Sequence, residues 1–350
     1  MTGATLEPDP DFTCVGPPHC LRIAAYRPYR STTYRLDSEV RGTKFVVHNY
    51  GHGGAGITMS WGCATLVCDL VRQHSAPPGP VAVLGAGVMG LTAATLLWQA
   101  GYTVTVYAAS LSATTSDIAG GQWKPSIVEF EQTLPAAKAR FETILRISFN
   151  TFVSQIGQGF GVSRRINYSK LGSDTGFSKV PRDLIPAPTH FNRLPFANMN
   201  SSGWGYHTLL VEPPIFVNRL RNDLRPDVPF RLRTFRSFAD VAQLSQPVVV
   251  NCTGLGAGQI FGDPKVVPIK GHLVLVKAQP ELDYLYSSGE TYVFPRKDHV
   301  VVGGSYEPDP DDDKVDEVII QKILQLARNT FAGATLAAYK REPWMLPRSV

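Results

Sequence analysis

The sequence predicts an α/β protein built around a doubly wound, dinucleotide-binding core. An apolar strand ending in glycine, a glycine turn opening a helix after it, and a second such turn ahead of it carry that prediction. Val81-Ala82-Val83-Leu84 is uninterrupted and apolar, as a central parallel strand should be. It runs into Gly85-Ala86-Gly87-Val88-Met89-Gly90, a helical pattern over 88–100 closed by Gly101, and a strand at 104–107. That βαβ order is the mononucleotide-binding half of a doubly wound fold. Ahead of it, a strand at 45–48 leads through Asn49-Tyr50-Gly51-His52-Gly53-Gly54-Ala55-Gly56-Ile57-Thr58 into a helix over 58–72. Two glycine turns roughly thirty residues apart suggest one extended, phosphate-bearing cofactor gripped at two places.

Bulk properties set the class. A chain of 350 residues can bury a large core and hold two domains. Hydrophobic content of 43% with 18% charged residues fits a globular enzyme and argues against disorder. No apolar run is long enough to span a membrane, and residues 1–18 lack the basic start and apolar stretch of a secretion signal. The net charge of +5 is spread without a Lys/Arg block, so nucleic acid is not an expected partner. Five cysteines without a C-x-x-C pair predict reduced thiols in an intracellular protein. Cys14, His19 and Cys20 lack a fourth ligand at metal spacing, so no metal is expected.

Farther along, residues 1–20 read as a flexible extension and 23–36 as extended chain around Arg27-Pro28. The stretch 74–80 is the clearest linker, with Pro77-Pro78-Gly79-Pro80. Residues 134–156 read as a long helix, and 205–224 as a strand followed by an amphipathic helix with Phe216, Leu220 and Leu224 in one stripe. Buried strands are expected at 248–251, 273–276, 292–294 and 300–302, with a break at Lys270-Gly271-His272 and a last helix over 315–331.

The glycines have separate tasks. Gly85 takes the tight turn, Gly87 lets backbone approach a pyrophosphate, and Gly90 lets the helix sit close to the strand. The helix N-terminus then offers free N–H groups and partial positive charge. NAD and FAD share this fingerprint. The acidic ribose ligand expected after the next strand is missing, since Tyr107-Ala108-Ala109-Ser110 holds no carboxylate. The turn at 51–58 would face a second anionic group, and under a flavin it would stabilise the charge that accumulates on reduction.

With both turns in view, the sequence resembles the D-amino acid oxidase and D-aspartate oxidase family. The resemblance is carried by residues 83–91, Tyr107-Ala108, and the run Thr114-Thr115-Ser116-Asp117-Ile118-Ala119-Gly120-Gly121-Gln122-Trp123-Lys124-Pro125. Val250-Asn251-Cys252-Thr253-Gly254, Pro268-Ile269-Lys270-Gly271-His272, Tyr292-Val293-Phe294-Pro295 and Gly303-Gly304 extend it over most of residues 20–330. The resemblance implies a Rossmann-type FAD-binding domain (40–125 and 203–265) and a mixed-sheet α+β substrate domain (21–39, 126–202 and 266–350). It also implies a circularly permuted order. In the family the Arg-Pro strand and the His-Asn-Tyr-Gly-His-Gly-Gly motif close the chain, whereas here Arg27-Pro28 and His48–Thr58 open it and 74–80 joins the family's old ends.

The implied reaction takes a hydride from the α-carbon of a D-amino acid to flavin N5, releasing a 2-oxo acid, ammonia and, with O2, hydrogen peroxide. The resemblance makes Arg27 the clamp on the substrate carboxylate, Tyr292 a hydrogen-bond donor to the same carboxylate and Gly54 the carbonyl facing the amine. It assigns FAD to Gly85, Ala86, Gly87, Val88, Met89 and Gly90, to Thr114, Thr115, Ser116, Gly120, Gly121, Gln122 and Trp123, and to Gly53, Gly54, Gly56, Ile57 and Thr58. Departures are Ser288 where the family carries a second tyrosine, with Tyr284 or Tyr286 as substitutes over the pocket, and Ala55 and Lys124. Lys124 could pair with an acidic substrate side chain. The expected partners are a D-amino acid and O2, with a homodimer as a possible assembly. Without a Ser-Lys-Leu-type end, a cytoplasmic location is preferred to a peroxisomal one. The competing readings are a D-aspartate-selective oxidase, a flavin-binding protein without turnover, and a nicotinamide-linked dehydrogenase using the Gly85 turn alone.

Overall fold

The computed structural model describes residues 6–173, 176–289 and 291–333. The C-terminal end (347–350) and the last part of the proposed substrate domain lie outside the described residues. The chain opens with β1 (Cys20–Arg30), β2 (Arg35–Arg41) and β3 (Lys44–Tyr50), and α1 (Gly56–His74) follows the first glycine turn. The predicted βαβ unit is β4 (Pro80–Leu84), α2 (Val88–Gln99) and β5 (Thr103–Ala108). Then come α3 (Pro135–Ser154), β6 (Val162–Lys170), β7 (Thr189–Phe191), β8 (Gly203–Val211) and α4 (Pro213–Leu224). Short elements β9 (Phe230–Leu232), α5 (Phe238–Ala242), β10 (Val248–Asn251) and α6 (Gly256–Phe261) lead to a strand-rich stretch. It comprises β11 (Val266–Lys277), β12 (Tyr284–Ser288), β13 (Thr291–Pro295), β14 (His299–Gly303) and β15 (Glu307–Pro308), before α7 (Glu317–Phe331).

These strands form two mixed sheets. The smaller runs β2-β3-β10-β4-β5-β9, with β3, β10, β4, β5 and β9 parallel and β2 antiparallel at the edge. Its central strands are buried throughout, which is why they read as continuous valine-rich runs. Asn251 of β10 sits in register with His48 on one side and Leu84 on the other. Both glycine turns therefore leave the same edge of the sheet at the same level, although β10 arrives long after either in sequence.

The larger sheet runs β1-β11-β14-β13-β12-β6-β8-β7, with β15 added to β11. One face meets α7, whose buried stripe is Ile320, Ile323, Leu324, Ala327 and Phe331, and whose N-cap Asp316 accepts the Val318 N–H at 2.8 Å. The other face carries a smaller cluster with Leu273, Leu275, Leu285, Phe294 and Val301. Against the smaller sheet, α1 and α2 pack together and share with α3 a core that includes Trp61, Trp123, Phe141 and Phe216.

Four expectations are corrected. Residues 6–19, read as a flexible extension, are docked on the larger sheet. Phe12 is buried against Phe331, Tyr284 donates to the Pro8 carbonyl at 2.8 Å, and Tyr168 donates to Glu7 at 2.8 Å. Cys14 and Cys20, expected as reduced thiols, are joined in a disulfide, while Cys63, Cys68 and Cys252 are free. The expected break at Lys270-Gly271-His272 is absent, because β1 pairs with β11 along its whole length and supplies every ladder partner. Finally, β8 lies within the stretch assigned to the FAD-binding part but pairs with β6 and β7, and β2 joins the smaller sheet. Among the described residues, no helix is long and apolar enough to cross a membrane.

Candidate active site

The two helix starts meet. A Cβ on Gly56, the first residue of α1, would lie 3.7 Å from Val88 and 3.9 Å from Met89 at the start of α2. Neither helix carries a side-chain N-cap bond or an acidic residue in its first turn, so both positive ends point into the shared space without a built-in anion. Gly85 adopts φ +113°, and a side chain there would strike the Cys252 carbonyl, so the turn before α2 requires glycine. A Cβ on Gly87 would meet only the hydroxyls of Ser116 at 3.2 Å and Thr114 at 3.9 Å. The Val88 N–H donates to Ser116 Oγ at 3.0 Å.

Residues 114–127 tie this corner to the larger sheet. Asp117 accepts from the Thr114 N–H and hydroxyl, both at 2.7 Å, and pairs with Arg221 of α4 at 2.9 Å. Burial by itself would raise the Asp117 pKa, but the Arg221 and Thr114 hydrogen bonds outweigh it and hold the carboxyl below its ordinary value. Thr115 donates to the Tyr26 carbonyl at 3.0 Å, and Arg296 donates to the Ala119 carbonyl at 3.0 Å. Gly121 accepts from the Val211 N–H, and Gln122 donates to Asn167 at 2.7 Å. The Trp123 indole is turned into the core against Phe149, so this residue contributes backbone, held by Leu209, rather than its ring. Thr58 exchanges hydrogen bonds with the Lys124 backbone at 2.9 and 3.0 Å.

Arg27 and Tyr292 come together on the sheet face that looks toward this corner. Arg27 of β1 pairs with Ile269, Leu273 pairs with Gly303, and Gly303 pairs with Tyr292, which places all of them on one face by strand alternation. Side chains on Gly271 and Gly303 would collide with the Arg27 guanidinium and the Tyr292 ring, so the two glycines clear the floor on which these groups lie. Arg27 Nη1 donates to the carbonyls of Ser305 at 3.2 Å and Lys270 at 3.4 Å, and the Arg27 charge acts on the neighbouring Tyr292 hydroxyl. Burial raises the Tyr292 pKa and Arg27 partly offsets this, so the phenol keeps its proton near neutral pH.

The other site residues adjoin this pair. The Gly53 N–H donates to the Pro28 carbonyl at 2.9 Å, next to Arg27, and Gly54 is backed by Ser126 and Ile127. Gly120 rests against Phe294, with Tyr292 just beyond. The expected residues thus form a continuous ring of neighbours, from Gly56 through Met89, Gly87, Ser116, Thr115, Tyr26 and Arg27 to Gly53. His52 does not face this space. It is buried, stacked on Tyr34 and 3.4 Å from the Cys63 sulfur, and burial lowers its pKa to about 3.

Tyr284 and Tyr286 are excluded as pocket covers. In the β12–β13 ladder Ser287 pairs with Tyr292, so Tyr286 and Tyr284 project to the opposite face, where both are buried among the residues facing α7. Tyr306 and Tyr29 stand nearer: Tyr306 is within electrostatic reach of Arg27, and Tyr29 is within electrostatic reach of Glu129. Burial and Glu129 together push the Tyr29 pKa up to about 12. Sequence reasoning missed Arg221, Arg296 and Asn167, which hold the 114–124 loop from distant strands and helices. Only Asp117 left a local signal, a Thr-Thr-Ser-Asp run of turn-forming residues.

A family model described as FAD dependent oxidoreductase (DAO) matches residues 80–174 and 182–345. The chain belongs to this family. Among curated proteins, a D-amino-acid oxidase of Streptomyces coelicolor is 31% identical over 275 residues, covering 75% of this chain and 81% of that protein. A D-amino-acid oxidase of Rubrobacter xylanophilus is 29% identical over 65% of this chain and 72% of its own. The human D-aspartate oxidase is 27% identical over 64% and 68% respectively. Among solved structures, iminodiacetate oxidase from Chelativorans sp. BNC1 aligns with a TM-score of 0.50 at 14% identity, over 72% of this chain and 79% of that one, a likeness of fold.

As a DAO-family member the protein is an FAD-dependent oxidoreductase. The corner fits that cofactor. Two helix starts whose N-cap residues make no side-chain bond, a side-chain-free position at Gly87 lined by hydroxyls, and the unpaired buried Oε1 of Gln122 supply donors and polar atoms suited to phosphates and an electron-rich ring edge.

Proposed function

We propose that this chain is a D-amino acid oxidase, which converts D-amino acids to 2-oxo acids with release of ammonia and hydrogen peroxide. The juxtaposition of Arg27 and Tyr292 beside the glycine turn at Gly53 and Gly54 carries the reading. In it, the Arg27 guanidinium clamps the substrate carboxylate as a planar fork, with Nη1 already anchored on two carbonyls. The protonated Tyr292 hydroxyl donates to the same carboxylate. The Gly54 carbonyl accepts from the amine and so selects the face of the α-carbon that is presented.

Bound FAD supplies a two-electron acceptor for the α-C–H hydride, regenerated by O2. Gly85–Gly90, Thr114–Ser116, Gly120–Trp123 and Gly53–Thr58 are the residues that would hold it. The start of α1 would offer N–H groups and partial positive charge to an electron-rich end of the cofactor. His52, neutral and turned away, takes no proton in this scheme. Orientation by Arg27, Tyr292 and Gly54 carries the chemistry.

In this reading the chain order is a circular permutation. The family match begins at residue 80, yet β1, β3 and α1 lie ahead of it and supply Arg27 and one of the two helix starts, which supports the assignment. The reading is tested with purified, FAD-loaded protein mixed with D-alanine, D-aspartate, D-phenylalanine and their L-enantiomers. Peroxide should form with at least one D-enantiomer, and a clear lead for D-aspartate would mark the narrower selectivity. Flavin that no D-amino acid bleaches without oxygen would end the proposal in favour of a cofactor-binding protein without turnover.

A further inference from the structure

We propose that His272, Ser305 and Glu307 form a buried positioning unit that sets the orientation of Arg27 from the far face of the larger sheet. The inference rests on the carboxylate-clamp reading of Arg27. Gly271 lies under the Arg27 guanidinium, so His272, the next residue of β11, projects to the opposite side, where it is fully buried. There its Nε2 accepts the backbone N–H of Asp316, the N-cap of α7, at 2.9 Å. An imidazole nitrogen that accepts from an amide leaves the ring proton on the other nitrogen. That nitrogen, Nδ1, lies 2.8 Å from Glu307 Oε1 and 3.1 Å from Ser305 Oγ.

Ser305 is held on every side by this unit. Its hydroxyl donates to Glu307 and accepts the His272 backbone N–H at 2.8 Å. The peptide carbonyl of the residue so held accepts from Arg27 Nη1 at 3.2 Å. The second anchor of Nη1, the Lys270 carbonyl, belongs to the residue paired with Glu307 in the β11–β15 ladder. Both carbonyls that orient the guanidinium therefore belong to this unit or its ladder partner. Tyr306, between Ser305 and Glu307, stands beside Arg27 on the same turn.

A purely packing role would be met by apolar residues, because buried polar networks carry a desolvation cost that hydrophobic replacements avoid. What the network supplies is a single geometry for a charge-bearing fork. Loss of one anchoring hydrogen bond to a charged group should weaken carboxylate capture roughly tenfold.

The test uses the full-length, FAD-loaded enzyme with D-alanine. His272→Leu and Ser305→Ala should each raise KM roughly tenfold, with the smaller part of the loss in kcat and with bound flavin at the parent level. His272→Gln, which keeps one donor and one acceptor, should recover most of the parent KM. A parent-like KM in His272→Leu and Ser305→Ala, alongside a large rise in Arg27→Lys, would overturn the positioning unit while leaving the clamp intact. A parent-like KM in Arg27→Lys would instead remove the clamp itself. Should His272→Leu fail to fold, Ser305→Ala decides: a raised KM beside a near-parent His272→Gln supports the unit, and parent-like values in both refute it.

Discussion

Arg27 and Tyr292 are joined across two intervening strands by a floor of glycine, with Gly271 of β11 beneath the guanidinium and Gly303 of β14 beneath the phenol ring. A four-strand span of larger residues would hold these side chains upright and apart. With hydrogen on both floor positions they lie flat and meet.

The floor can be tested directly. Gly303→Ala places a methyl group against the Tyr292 ring, and overpacking of this kind costs about 1–3 kcal/mol. We expect the cost to fall on the site: KM for D-amino acids should rise several-fold while the melting temperature falls by a few degrees. Parallel kinetic and thermal measurements would refute the floor argument if activity were untouched.

Arg27→Lys replaces a fork by a point charge. The loss of a bidentate, charge-assisted contact should lower kcat/KM by about 2–3 kcal/mol, roughly 30- to 150-fold. Steady-state kinetics with and without added guanidinium would check it, and partial rescue by the free cation is the expected signature.

Asp117 links Thr114 to Arg221 and so positions the loop that carries Ser116. Its carboxyl is held below the ordinary value of 3.8, so its contribution is fully present above that value and is lost as pH falls through the lowered one. Flavin retention should therefore show no step from Asp117 between pH 8 and 5 and should weaken only below about 4. Asp117→Asn should weaken FAD binding already at neutral pH, as measured by flavin fluorescence on dilution. Equal retention in both proteins would remove the assignment.

The Cys14–Cys20 disulfide closes a short loop that docks residues 6–19 on the sheet. Chain-entropy reasoning gives it about 2 kcal/mol of stability. Cys14→Ser should lower the melting temperature by a few degrees in non-reducing buffer and abolish the response to dithiothreitol. Turnover should be unaffected, because Cys20 pairs with Val276 at the opposite end of β1 from Arg27.

Legibility differed by the range of the interactions involved. Val81–Leu84, Gly85–Gly90 and the helix after them were readable because strand, turn and helix are contiguous and each residue's task is local. Gly53–Thr58 was readable for the same reason. Tyr284 and Tyr286 were misjudged as pocket covers because a face assignment needs a ladder register, and composition does not supply one. The supposed break at Lys270–His272 failed similarly. A glycine that marks a turn in isolation here accommodates a neighbouring strand's arginine.

Local chemistry alone thus determined the glycine turns and their helices, and the motifs spread along the chain carried the resemblance to the family. Only tertiary structure decided that β10 would bring both turns level, that Arg27 would reach Tyr292 over two glycines, and that His272 would stand behind them. The physical reason is sequence separation. Backbone propensity and apolar periodicity act over a few residues, whereas these partners lie tens to hundreds of residues apart and meet only once the sheets have closed.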